Sequence, residues 1–212
     1  MNTQFWRHKR VLITGHTGFK GSWLSLWLNS VGAHVSGFAL TPPSEPSLYE
    51  LARVDETVRS TIGDIRDLAS LQRVVETAAP EVIFHMAAQS VVLSSYEAPV
   101  DTYSTNVMGT VHVLESLRRA GGRSTVVNVT TDKCYENKGW VWGYREDDRL
   151  GGHDPYSNSK ACAELVAQAY RDSFFPPDDL ARRGGTRQRP RRQRHRRRRL
   201  DPSPAHPRGG GR

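Results

Sequence analysis

The stretch Val11-Leu12-Ile13-Thr14-Gly15-His16-Thr17-Gly18-Phe19-Lys20-Gly21 decides the fold. Val11 to Ile13 is a short apolar run, as in a buried strand. The run breaks at Gly15, and a helical pattern has begun by Phe19. Phe19, Trp23, Leu24, Trp27, Leu28 and Val31 then recur along one face of an amphipathic helix. Gly15, Gly18 and Gly21 stand between strand and helix in the spacing G-x-x-G-x-x-G. The first glycine permits a tight turn, and the second leaves backbone bare for a pyrophosphate. The third lets the helix pack closely on the strand, and free N–H groups at the helix start attract phosphate. A glycine-rich turn without a ligand is the plainer alternative. Strand, turn and helix agree here, so dinucleotide binding is expected, with Gly15, Thr17, Gly18, Phe19, Lys20 and Gly21 in the cofactor loop.

Outward from that loop, strand-like and helix-like segments alternate. Residues 33–40 read as a second strand that ends in Thr41-Pro42-Pro43-Ser44-Glu45-Pro46, where the prolines force a loop. The end of this strand, Phe38-Ala39-Leu40, carries no acid of the kind that often holds an adenosine ribose, so this position leaves NAD and NADP open. Residues 57–62 read as a third strand, followed by Gly63-Asp64-Ile65 and a helix over about 67–79 with Asp67 as its N-cap. Asp64 can accept from an adenine amino group, with Ile65 beside it; without the glycine motif a simple loop acid is the preferred reading. Residues 81–85 form a fourth strand leading into Met86-Ala87-Ala88-Gln89-Ser90. The small residues Ala87 and Ala88, with Gln89, leave room for a cofactor at the strand's carboxyl end, where ligands of such sheets bind. His85 reads as a packed strand residue. A helix over about 99–119 starts at Pro99, and 124–129 is a fifth strand that delivers Thr130-Thr131-Asp132-Lys133-Cys134-Tyr135. A loop rich in Gly, Trp and acids runs to Asp154, and Pro155 opens a helix through about 170. The alternation predicts an α/β fold with a doubly wound parallel sheet, a Rossmann-type domain.

Composition narrows the function classes once the charge is located. The chain has 212 residues and a formal net charge of +8. Residues 1–180 hold 17 Lys and Arg against 21 Asp and Glu, whereas residues 181–212 hold 13 Arg and the single acid Asp201. The basicity belongs to the last 32 residues, and the body is mildly acidic. Cys134 and Cys162 have neither metal-ligand spacing nor a disulfide framework, and no metal site is expected. No apolar run has transmembrane length, and no signal-peptide pattern precedes the first strand, so a cytoplasmic setting without membrane contact is expected.

Tyr156 and Lys160 stand four residues apart on one helical face and can reach a shared site. A nearby ammonium favours the phenolate, which suits a general base. Y-x-x-x-K alone is common; after a glycine-rich turn and a fifth strand ending in Thr-Asp-Lys it gains weight. The combination resembles the extended short-chain dehydrogenase/reductase superfamily. Gly15 to Leu24, Pro42 to Leu48 and Thr130 to Asn137 are similar to the corresponding segments of CDP-glucose 4,6-dehydratases, over roughly residues 6–175. That resemblance implies an NAD-dependent, redox-neutral hydro-lyase of deoxysugar and O-antigen biosynthesis, converting CDP-glucose to CDP-4-keto-6-deoxy-glucose. By it, Tyr156 takes the proton of the sugar 4-hydroxyl while hydride passes to NAD, and Lys160 holds the nicotinamide ribose. Thr131 bonds the 4-oxygen, Asp132 is the acid for the departing 6-hydroxyl, and Lys133 assists at C5. It also implies a homodimer, paired through the helices around 96–119 and 156–170.

Past residue 175 the resemblance stops. Residues 181–212 contain only Ala181, Leu200 and Ala205 as apolar residues, too few to bury a core, so residues 176–212 are expected to be a disordered Arg/Pro/Gly-rich tail. The segment that grips the sugar nucleotide in the family is missing from the pattern. Read one base later, arginine codons over 187–200 permit Ala-Ser-Ala-Arg-Ala-Gly-Asn-Val-Ile-Gly-Gly-Gly-Asp-Trp, similar to the family's next strand. A frame slip between about 179 and 186 is the expectation, with an incomplete nucleotide domain over 1–175 and little activity. Two other readings stand beside it: another sugar-nucleotide dehydratase or epimerase, or nucleic-acid binding through the arginine tail. The tail lacks interleaved aromatics for base stacking, so no nucleic-acid partner is expected.

Overall fold

Leu12 and Ile13 are fully buried, as a strand covered on both faces requires. The computed structural model describes residues 3–121 and 123–175. Strand β1 (Arg10–Thr14) lies between β2 (His34–Ala39) and β4 (Val82–His85); β3 (Arg59–Ile62) flanks β2, and β5 (Thr125–Asn128) flanks β4. Every pairing is parallel, in the order 3-2-1-4-5. The doubly wound parallel sheet is therefore present, and its order reverses between β1 and β4, where the ends of both strands open a crevice.

Helices cover both faces. On one side, α1 (Phe19–Ser30), α2 (Leu48–Leu51) and α3 (Val54–Thr57) contribute Leu28, Tyr49 and Val54 to a core with Val11, Ile13, Val35 and Val82. On the other, α4 (Leu68–Ala78) and α7 (Gly109–Ala120) contribute Leu71, Val75, Val113 and Leu117 against Leu12, Phe38 and Ile83. Adjacent β1 residues thus feed opposite cores, as strand geometry dictates.

The first helix corrects the sequence reading. Its aromatic stripe does not face the core: Phe19 is 71% exposed, Trp23 55% and Trp27 36%. Gly21, Ser22 and Ser25 are buried beside Leu28 of that same face. The close approach that Gly21 permits brings the small-residue side inward, and the serines satisfy themselves on backbone: Ser22 Oγ donates to His16 O (3.0 Å) and Ser25 Oγ to Gly21 O (2.8 Å). Apolar periodicity named the wider side, and packing distance chose the narrower one.

Other boundaries move less. Thr57 belongs to α3, so β3 begins two residues later than read. Residues 92–97 form a short helix, α5 (Val92–Glu97), that the pattern did not announce. The helix expected over 99–119 is α6 (Pro99–Tyr103), a π-helical turn (Ser104–Met108) and α7 in succession. The last helix, α8 (Pro155–Phe174), runs four residues past the expected end. Asp67 caps α4 as expected, accepting from Ser70 N at 3.1 Å, and Asp154 caps α8, accepting from Ser157 N at 2.9 Å. The chain divides into two units at 176/177, and the second lies outside the described residues, as do the expected disordered tail and frame slip. Among the described residues no helix is long and apolar enough to cross a membrane.

Candidate active site at the carboxyl ends of the strands

Gly15 follows β1 with φ +79°, a conformation that side chains disfavour, and a Cβ there would lie 2.8 Å from Ala87 N. The glycine turn and the segment after β4 are therefore in backbone contact. A Cβ at Gly21 would overlap the carbonyl oxygen of Gly15. Gly18 differs: a Cβ there meets only Gly15 O, at 3.4 Å, with open space beyond. Gly18 is also the N-cap of α1, with no side-chain cap and no acid in the first turn. The first-turn amides of α1 thus face an uncovered cradle with nothing negative in it. Thr17 Oγ1 donates to Leu40 O (2.8 Å), which ties the loop to the end of β2; Phe19 and Lys20 are exposed at its rim.

A buried polar network fixes the floor of this crevice. Thr14 Oγ1 accepts from the amides of Met86 and Ala87, both at 3.1 Å, and lies 2.7 Å from His85 Nδ1. Thr110 Oγ1 donates to Asn106 O (2.7 Å) and lies 3.2 Å from His85 Nε2. A hydroxyl has one proton to donate, so Thr110 accepts from His85 Nε2–H and Thr14 donates to Nδ1. His85 is thus a neutral imidazole of assigned tautomer. Burial pushes it down to about 3, helped by the Lys160 charge. This bears out its reading as a packed strand residue. The π-helical turn brings Asn106 into the same network. Its Oδ1 accepts from Gln89 N, and its Nδ2 donates to Gln89 O and to Ser159 Oγ, all at 2.9 Å. One side chain thereby binds the segment after β4 to α8. Ala88 lies half-buried between Ala87 and Gln89 in that segment.

The end of β5 meets α8. Lys160 is 7% exposed, and its ammonium donates to Val129 O at 3.2 Å. Burial pushes it down to about 8 against the opposing pull of Glu164. Tyr156, one turn earlier on the same helix, is half-buried, with Ser159 Oγ donating to its carbonyl. Thr131 and Asp132 open a short 3-10 turn (Asp132–Cys134): Thr131 Oγ1 donates to Asp132 Oδ1 (3.0 Å) and accepts from Lys133 N (3.3 Å). Asp132 and Lys133 are exposed, and Lys133 lies close enough to Asp154 to help hold that carboxylate ionised. Tyr156, Lys160 and the Thr131–Lys133 turn therefore gather at the carboxyl end of β5, while the glycine loop, Ala87, Ala88 and Gln89 gather at the ends of β1 and β4.

Asp64 lies further along the same edge, after β3. It forms an ion pair with Arg66 (2.6 Å), and Arg66 pairs with Asp101 of α6 (3.0 Å). The side-chain bonds from Arg66 hold the Asp64 carboxyl below its usual range. Ile65 is 5% exposed in the core under α7, with its carbonyl accepting from His112 Nδ1 (2.9 Å). Sequence reasoning missed Thr14, Asn106, Thr110 and Glu164. Only Glu164 carried a signal, its place four residues after Lys160 in a run that began at Tyr156.

A parallel sheet with a glycine-rich turn after its first strand and polar residues at its strand ends is a Rossmann-type nucleotide-binding architecture. The chain belongs to the GDP-mannose 4,6-dehydratase family, whose model matches residues 12–177. It is 57% identical over 184 residues to the CDP-glucose 4,6-dehydratase of Salmonella typhimurium, a match covering 87% of this chain and 51% of that protein. It is similar to the structure of a Brucella ovis UDP-glucose 4-epimerase in complex with NAD, at a TM-score of 0.68 and 25% identity over 77% of this chain and 48% of that one. The dTDP-glucose 4,6-dehydratase of Bacillus anthracis in complex with NAD matches at 0.66 and 26%, over 77% and 51%. The chain spans about half the length of the relatives it matches.

Proposed function

We propose that this chain is the nucleotide-binding part of a CDP-glucose 4,6-dehydratase, forming CDP-4-keto-6-deoxy-glucose in deoxysugar and O-antigen biosynthesis. The observation that carries the reading is Lys160, one turn after Tyr156 on α8, whose ammonium turns inward onto the end of β5 instead of toward solvent. The 57% identity to the Salmonella enzyme supports CDP-glucose as the substrate.

The open cradle over Gly18 and the acid-free first turn of α1 fit the pyrophosphate of NAD. Gly15, Thr17, Gly18, Phe19, Lys20 and Gly21 would hold it, with Ala87, Ala88 and Gln89 beneath and Asp64 and Ile65 toward the adenine. For Asp64 to reach an adenine amino group, its pairing with Arg66 must loosen. Bound NAD supplies a reversible hydride acceptor. Tyr156 takes the proton of the sugar 4-hydroxyl, with the buried ammonium of Lys160 one turn further along the same helix. Thr131 holds the 4-oxygen. Asp132, exposed at the mouth, gives a proton to the departing 6-hydroxyl, and Lys133 assists at C5.

The exposed Leu93, Tyr96, Val100 and Leu165, on neighbouring helices, support a homodimer through this side. Residues 1–175 are read as the nucleotide-binding unit of a cytoplasmic enzyme. Titration with NAD and NADP, followed by product analysis with CDP-, UDP- and dTDP-glucose, tests this. NAD binding is expected, with any turnover confined to CDP-glucose; absence of NAD binding overturns the reading.

A further inference from the structure

Two consecutive residues at the end of β5 are fastened to two residues one turn apart on α8. Lys160 Nζ donates to Val129 O (3.2 Å), and Thr130 Oγ1 donates to Glu164 Oε1. Helix spacing makes this possible, because residues 156, 160 and 164 follow one another on a single face. Thr130 immediately precedes Thr131, so the Glu164 bond fixes where the Thr131–Lys133 turn leaves the sheet. The titratable groups around Lys160 and Glu164 come from three elements. His85 of β4 is held neutral by burial, and burial, with Glu164 adding, holds the Cys134 thiol protonated. Tyr156 and Glu164 share its helix. Among these described neighbours Glu164 is the one anion that acts on the Lys160 ammonium.

We infer that Glu164 is a positioning residue: it pins the end of β5 to α8 through Thr130 and sets a carboxylate one turn from the buried Lys160 on the same helical face, as its counter-charge. The inference rests on the reading of Tyr156 and Lys160 as the catalytic pair. Its two parts separate by mutation. Glu164→Gln keeps an oxygen that accepts from Thr130 and removes the charge. Thr130→Val keeps the charge and removes the tether, and Thr130→Ser restores it.

The experiment is carried out on the full chain. The chain has five lysines, so the Lys160 signal in carbon-13-labelled lysine is assignable by lysine-to-arginine replacement. In Glu164→Gln the titration midpoint of Lys160 is expected to fall by about one pH unit, as removal of a close opposite charge requires, with the melting temperature little changed. In Thr130→Val the midpoint holds, and amide exchange at residues 129–134 accelerates about tenfold as the segment opens locally; Thr130→Ser returns it. An unchanged midpoint in Glu164→Gln, or unchanged exchange in Thr130→Val, overturns the inference. Both readouts are taken without NAD, so they stand apart from the binding titration that tests the functional reading.

Discussion

A methyl group at position 21 meets the carbonyl of Gly15, and neither backbone can yield without moving the helix off the strand. Gly21→Ala is therefore expected to cost about 3 kcal/mol, read as a lower urea midpoint. Gly18→Ala separates ligand from fold. Its backbone is extended (φ −76°, ψ 166°) and its Cβ projects into the open cradle. Stability should stay within about 0.5 kcal/mol of wild type while NAD affinity falls about tenfold or more, checked by calorimetric titration. The buried histidines set a pH dependence. Burial pushes His16 down to about 4 and His85 to about 3, both from 6.5. Between those values and 6.5 the unfolded chain binds the protons that the folded chain refuses. Stability is complete above pH 6.5 and falls as the solution is acidified toward pH 4, with an uptake of about two protons on unfolding from these residues. The slope of unfolding free energy against pH measures this.

At the level of elements, the start of α8 matters most, since Tyr156 and Lys160 ride on its first two turns. Asp154 caps it twice, accepting from Ser157 N (2.9 Å) and Ser157 Oγ (2.5 Å). Asp154→Ala is expected to cost about 1 kcal/mol, seen in urea denaturation. The Asp67 cap of α4 was legible in the sequence, as were the start of α8 at Pro155 and all five strands, because an Asp before a helical pattern, a Pro at a first helical turn and short apolar runs between breakers are local signals. The inward side of α1 was not legible. Trp23 and Trp27 outweigh Ser22 and Ser25 in any apolar pattern, yet the approach that Gly21 allows favours the serines. The π turn at Ser104–Met108 left no mark either, because it follows from Asn106 reaching Gln89 and Ser159, both distant in sequence. Tyr156, Lys160 and the glycines could be read because their spacing is their chemistry. The Thr14–His85–Thr110 network could not, because it joins residues from three separate elements.

For the molecule as a whole, the two faces of the sheet differ. Over β5 the α1 side is thinly covered: Val127 is 40% exposed beside half-buried Phe84, and Trp6 packs against both Phe84 and Trp27. The outer edge of β5 pairs with no strand among the described residues. An open parallel edge beside exposed aromatics favours association, so the chain should sediment as more than a monomer at micromolar concentration. Val127→Lys, which puts a charge beside that edge at little cost to the core, should reduce species larger than a dimer in analytical ultracentrifugation. The register of the sheet has a further consequence, in time. Val11 pairs with Val35 on one side and with Val82 on the other. During synthesis the first neighbour of β1 emerges soon after it, whereas the second arrives only after some four dozen more residues. At about 5–20 residues per second, the innermost strand waits roughly 2–10 s with one flank open. The nascent chain is most in need of a chaperone during that interval, before β4 closes the sheet.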